Sequence, residues 1–125
     1  MTFFFDNNFS KKIVESLKAN GEDVTHLQDE FPQNTPDTVW LPEIGQREWI
    51  IVTLDRKITR RPAERLALDE ANVTAVFIHK GFFQMRAQEQ LWWITVRWSI
   101  IKTAATGAEQ GTKLSLTMDG DIKPM

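Results

Sequence analysis

Apolar residues in this chain come in two rhythms. Phe3–Phe5, Trp49–Leu54 and Val73–Ile78 are short, nearly unbroken apolar and β-branched runs, whereas Ile13, Val14 and Leu17 recur at helical spacing. A strand with one wet face alternates apolar and polar residues, so unbroken runs predict strands covered on both faces. The first run stops at Asp6-Asn7-Asn8. A helix follows from Ser10, its N-cap, to Asn20, with Gly21 where a left-handed C-terminal cap belongs. Asp23–Leu27 reads as a second strand and QDEFPQN as a polar loop. Thr35-Pro36-Asp37 then predicts a helix start, with Thr35 as N-cap, Pro36 at the first helical position and an acid near the positive end of the dipole; this helix closes at Gly45. Trp49–Leu54 is the third strand. Pro62 opens another helix ending at Asn72, Val73–Ile78 is the fourth strand, and a long helix runs from Phe82 to Ala105. The tail is weakly patterned, with Lys113–Thr117 as an edge strand. Strands alternating with helices predict an α/β fold, a central mostly parallel sheet in three layers, plus a long C-terminal helix and short tail.

The 125 residues suit one domain rather than two. With 42% hydrophobic and 26% charged residues, a packed core is expected and wholesale disorder is not. The chain has no cysteine, which excludes disulfides, thiolate nucleophiles and cysteine-ligated zinc and fits the reducing cytoplasm. The apolar start of MTFFFDNNFSKK is too short for a signal peptide, and Leu91–Ile101 is too short for a bilayer span and contains Arg97, so no membrane association is expected.

A net charge of −2 says little about partners, because phosphate contacts come from local clusters. The segment after the third strand carries such a cluster: Arg56, Lys57, Arg60, Arg61 and Arg65. In open α/β sheets, ligands gather beyond the carboxyl ends of the strands. Asp6 and Asp55 follow strands one and three, and Asp37 opens a helix that can be carried to the same edge. Three converging carboxylates repel unless cations sit between them, and oxygen-only ligands suit Mg²⁺ or Mn²⁺. Acids for metal beside bases for a polyanion is what phosphodiester hydrolysis needs. Each residue also has a plainer reading: Asp6 and Asp55 as turn residues, Asp37 as a dipole partner, and the bases as a solvated loop and helix face.

The ordered set FFFDNN, TPD and IIVTLDRK resembles the PIN-like domain family, especially the compact toxin-type (VapC-like) proteins of toxin–antitoxin systems, over about residues 2–80, with the helix and tail of 81–125 as an addition to that core. The resemblance implies a metal-dependent ribonuclease of the cytoplasm, with RNA as substrate, an antitoxin protein as partner and Mg²⁺ or Mn²⁺ as cofactor. Carried over residue by residue, Asp6, Asp37 and Asp55 are the catalytic and metal-holding acids. Thr53 orients Asp55 or its water, Asn7 supports Asp6, and Glu43 stands near the family's helical glutamate. The place after the fourth strand, where many members have another acid, holds His79-Lys80.

The histidines His26 and His79 read as structural hydrogen-bonding residues. LWWITVRWSII, with Trp92, Trp93 and Trp98, reads as a helix packed across the sheet under the C-terminal tail, or as a homodimer or antitoxin face. Two other functional classes remain open. One is a catalytically weak PIN-like module that binds RNA or protein. The other is a phospho-receiver with Asp55 as acceptor and Lys123 as its lysine, against which stands Asn7 in place of a second acid.

Overall fold

A computed structural model describes residues 1–54 and 62–125. In chain order the elements are β1 (Phe3–Phe5), α1 (Lys11–Ala19), β2 (Val24–His26), α2 (Leu27–Glu30), α3 (Asp37–Gln46), β3 (Ile50–Leu54), α4 (Pro62–Ala71), β4 (Ala75–Ile78), α5 (Ala87–Gly107), β5 (Lys113–Leu116) and β6 (Ile122–Pro124). The strands form one sheet in the order β2-β1-β3-β4-β5-β6. Every pairing is parallel except the last, β5 with β6.

Alternation explains why the strands are apolar at every position. On β1, Phe3 and Phe5 enter a core with α1 and α5, while Phe4 enters the opposite core with α3 and α4. Ile50 and Val52 follow the first pair and Ile51 follows Phe4. Burying a large apolar side chain contributes about 1.5–3 kcal/mol, so both faces need a helical layer and both have one. The fold is therefore a three-layer α/β sandwich. Phe3 and Phe5 meet Trp98 of α5 at ring-centroid distances of 4.8 and 5.8 Å, and Phe4 meets Trp40 of α3 at 5.3 Å.

Local signals behave as their chemistry dictates, with instructive exceptions. Ser10 caps α1 by accepting the Lys12 N–H at 3.1 Å, and Gly21 adopts φ +86° after the helix. Asn72 ends α4 at φ 51°, a conformation asparagine tolerates. Thr35 does not cap α3: its hydroxyl donates to the Pro32 carbonyl at 2.6 Å, closing the preceding turn, and Pro36 takes the N-cap position without a side-chain bond. The polar stretch expected as loop holds the short helix α2. The long helix starts later than Phe82, because the His79 side chain accepts the Gly81 N–H at 3.0 Å and turns Lys80–Gln84 into a 3₁₀ segment first. The tail is more ordered than its pattern suggests. β5 is not an edge but lies between β4 and β6, and Thr117 and Asp121 close a hairpin around Gly120 at φ +93°. No helix among the described residues is long and apolar enough to cross a membrane.

Helix α3 runs to Gln46 rather than closing at Gly45. Gly45 is where α3 meets α4: a Cβ there would lie 2.3 Å from the Ala71 carbonyl oxygen. Two backbones cannot part locally without disturbing the layer, so Gly45→Ala is expected to destabilise the fold by about 2–3 kcal/mol despite alanine's better helix propensity. Urea denaturation measures this, and an unchanged midpoint would show that the two helices are free to separate.

Candidate active site

Because β1 and β3 are parallel neighbours with Phe5 level with Val52, their carboxyl ends deliver Asp6 and Thr53 to the same edge. The Thr53 hydroxyl donates to Asp6 Oδ2. Asp6 Oδ1 accepts the backbone N–H of Asn8 and its side-chain amide, both at 3.0 Å. The first of these is an Asx turn, a local bond that aspartate favours where a strand must stop. Asp6 is thus locked in orientation, with only 5% of its surface exposed.

Asp37, the first residue of α3, joins it. The two acids line one small cleft of about 170 Å³ together with Asn7, Asn8, Leu27, Thr35 and Trp40. Trp40 is buried, and its indole N–H has no acceptor among the described residues. A larger groove of about 580 Å³ lies between α3 and α4, but it is lined by residues such as Pro42, Leu66 and Ala67 and contains neither acid. The chemistry belongs to the smaller cleft.

Burial raises the Asp6 carboxyl above its ordinary 3.8; the bonds from Thr53 and Asn8 pull the other way, and the charge of Asp37 adds to the rise. Desolvation wins, because three hydrogen bonds replace bulk water only in part. A raised folded-state value means that Asp6 favours the fold when protonated, and this contribution is lost as pH climbs through that value.

Asp6 and Asp37 line the same cleft. Asp55, Arg56, Lys57, Arg60 and Arg61 lie outside the described residues, and Arg65 is exposed on α4. Thr53, on the adjoining strand, donates to Asp6; its assigned role toward Asp55 falls outside the described residues. Asn7 does not support Asp6; it is exposed and accepts from Gln28 Nε2 at 3.4 Å, while Asn8 supplies the support. Glu43 is bonded by Arg47 at 3.2 Å and does not line the cleft. His26 is structural, its Nε2 2.8 Å from the Phe9 carbonyl oxygen and its Nδ1 accepting the Gln28 N–H. Asn8 and Trp40 also belong to the cleft. The Asp-x-Asn spacing signals the first; nothing local signals the second.

The donor set suits a hard divalent cation: two carboxylates and amide oxygens, no sulfur and no histidine. Among the described residues no three acids or histidines cluster as a complete metal cage.

In metal-free buffer, Asp6→Asn is expected to melt above wild type at pH 7, by about 4 °C for each kcal/mol of relieved desolvation. The gap should close as pH falls toward the ordinary carboxylate range, where wild-type Asp6 becomes neutral. A variant less stable than wild type at pH 7 would mean that the charge of Asp6 helps the fold.

No curated protein and no solved structure matches the chain. A family model described as PIN like domain matches residues 1–80, which span β1 to the end of β4 and carry both acids of the cleft. The chain belongs to the PIN-like domain family, whose members are generally nuclease-type modules.

Proposed function

We propose that the protein is a metal-dependent endoribonuclease that hydrolyses RNA phosphodiesters, acting as the toxin of a toxin–antitoxin pair. The observation that carries the reading is the buried Asp6 carboxylate sharing a cleft with Asp37 at the carboxyl edge of the sheet. A buried carboxylate facing a second, half-buried one is costly to keep ionised, and a cation between them lowers that cost. Asp6 and Asp37 would hold Mg²⁺ or Mn²⁺, with Asp55 as the third ligand. Such an ion supplies an activated water and stabilises the leaving oxygen. Thr53 and Asn8 fix the direction in which Asp6 presents its oxygens. Leu27 and Trp40 exclude water from the floor of the cleft. Arg56, Lys57, Arg60, Arg61 and Arg65 are assigned to the RNA backbone. The lack of cysteine suits a reducing cytoplasm, where RNA is at hand.

A catalytically weak binding module is the second reading. It is favoured by His79, which stands after β4 in place of an acid and uses Nδ1 to accept the Gly81 N–H. The phospho-receiver reading has less support: Lys123 lies on β6, the outermost strand, three places from β3.

The partner surface is assigned to α5. Trp93, Ile94, Trp98, Ile101 and Ala105 are buried against the sheet, whereas Trp92, Val96 and Ile100 form an exposed stripe at four-residue spacing, 62%, 52% and 49% accessible. A second copy of the chain, or an antitoxin, would cover it.

Cleavage of single-stranded RNA in Mn²⁺ is expected to fall by about 10²–10³-fold or more in Asp6→Asn and Asp37→Asn. Thr53→Val should lose about 10–100-fold, because it loosens a ligand without removing it. Undiminished cutting in excess EDTA would sink the metal mechanism, and Mn²⁺-dependent RNA binding without turnover would select the weak module. For the stripe, light scattering across a concentration series should show a wild-type dimer and a Trp92→Glu/Val96→Glu monomer. A monomeric wild type at every concentration removes the homodimer.

A further inference from the structure

Beside the acid cleft lies a second groove of about 470 Å³, which shares Asn7, Leu27 and Thr35 with it. Its lining contains four primary amides, Asn7, Gln28, Gln33 and Asn34, together with Phe31, and no charged residue. Its size is within the range of small-molecule sites, about 300–1,000 Å³. A phosphate would require cationic side chains, which this lining does not offer. A neutral planar group with donors and acceptors along one edge fits it better, because a primary amide presents one acceptor and a paired donor in a plane. Unpaired nucleobases are such groups, and proteins read them in single strands by edge hydrogen bonds and aromatic contact.

The groove is built rather than incidental. Thr35 bonds twice to the Pro32 carbonyl, from its N–H at 3.2 Å and its hydroxyl at 2.6 Å, and Asn34 takes φ 67° to complete the turn. Phe31 is fixed edge-on to Phe4 at 6.0 Å and lies beneath the Arg47 guanidinium, which is held by Glu30 at 2.9 Å. Gln28 Nε2 is engaged by Asn7 Oδ1, leaving Gln28 Oε1 as an acceptor and Asn7 Nδ2 as a donor for a ligand.

We propose that this groove is a nucleobase subsite that seats one unpaired base next to the phosphate held over Asp6 and Asp37, and so sets the sequence preference of the site. The proposal rests on the nuclease reading for the position of that phosphate, but its ligand is defined by the groove alone.

The test uses the full chain in two forms. Asp6→Asn, expected on the nuclease reading to cut RNA far more slowly, is titrated by fluorescence anisotropy with short oligoribonucleotides of A, U, C or mixed sequence. The same oligonucleotides carrying a single abasic site are titrated in parallel. The second form is wild type in Mn²⁺, with its cut positions mapped on mixed single-stranded RNA. One base should be preferred by about tenfold, the worth of a good edge pair, and the preference should vanish with the abasic site and with Gln33→Ala/Asn34→Ala. Equal binding of all sequences, indifference to the abasic site, or an unchanged preference in the double variant overturns the subsite. Cutting that keeps its base preference in the double variant leaves the nuclease standing and removes the groove. A base preference lost in the double variant, with no cutting by wild type, does the reverse. Neither binding nor cutting removes both.

Discussion

A carboxylate buried where two parallel strands end is the constraint around which the carboxyl edge is arranged. Asp6 can sit there only because β1 lies directly beside β3, so that a threonine hydroxyl meets it, and because the chain turns at once, so that Asn8 supplies two donors. An ionised group without partners would cost far more than any single packing contact returns, since even three bonds leave burial the dominant influence on its protonation. The apolar sandwich on either side carries this expense. Twenty-nine hydrophobic residues are buried among those described, and several of the largest belong to β1 itself and to its helical cover. A local stability cost at an acid cleft, borne by a well-packed core, is the usual physical signature of function over fold.

The division of labour between the two faces follows from the same geometry. The α1 and α5 face is dominated by ring contacts: Phe9 packs with Phe5, Phe82 and Phe83, and Trp93 with Phe82. The opposite face is thinner, and it brings the start of α3 to the cleft by packing Trp40 and Leu41 on the sheet. Gly45 then lets α4 close against α3. The position of Asp37 is therefore a consequence of helix packing and not of any sequence proximity to Asp6.

Much of this was legible in the chain. Unbroken apolar runs gave away strands covered on both sides, and Asp6 was readable as the residue at which the first run stops. Asp37 was legible as a helix-opening acid, although its rank as a cleft residue needed the packing of α3. The exceptions have specific causes. Thr35 looked like a cap, but a competing carbonyl three residues back claimed its hydroxyl. Thr53 reads from the chain as a partner of its neighbour Asp55, and strand pairing gives its hydroxyl a second acid, Asp6, from 47 residues earlier, which no local pattern announces. Lys113–Thr117 is readable as a strand and Asp119-Gly120 as a turn, but β6 is only three residues long with none buried, so periodicity could not expose it and β5 reads as an edge.

The hairpin changes what the C-terminal third of the chain is. β5 pairs with β4 along its whole length, from Ala75 with Lys113 to Ile78 with Leu116, and α5 covers one face together with α1. The family match ends at residue 80, so a chain cut there would end on an unpaired inner strand of Ala-Val-Phe-Ile with its aromatic cover removed. Such an edge is a template for intermolecular pairing, and Pro124 on the outermost strand is the kind of residue that blunts one. Residues 81–125 therefore act as a built-in guard against self-association through the sheet, and excising the family-matched portion alone would yield an aggregate rather than a minimal domain.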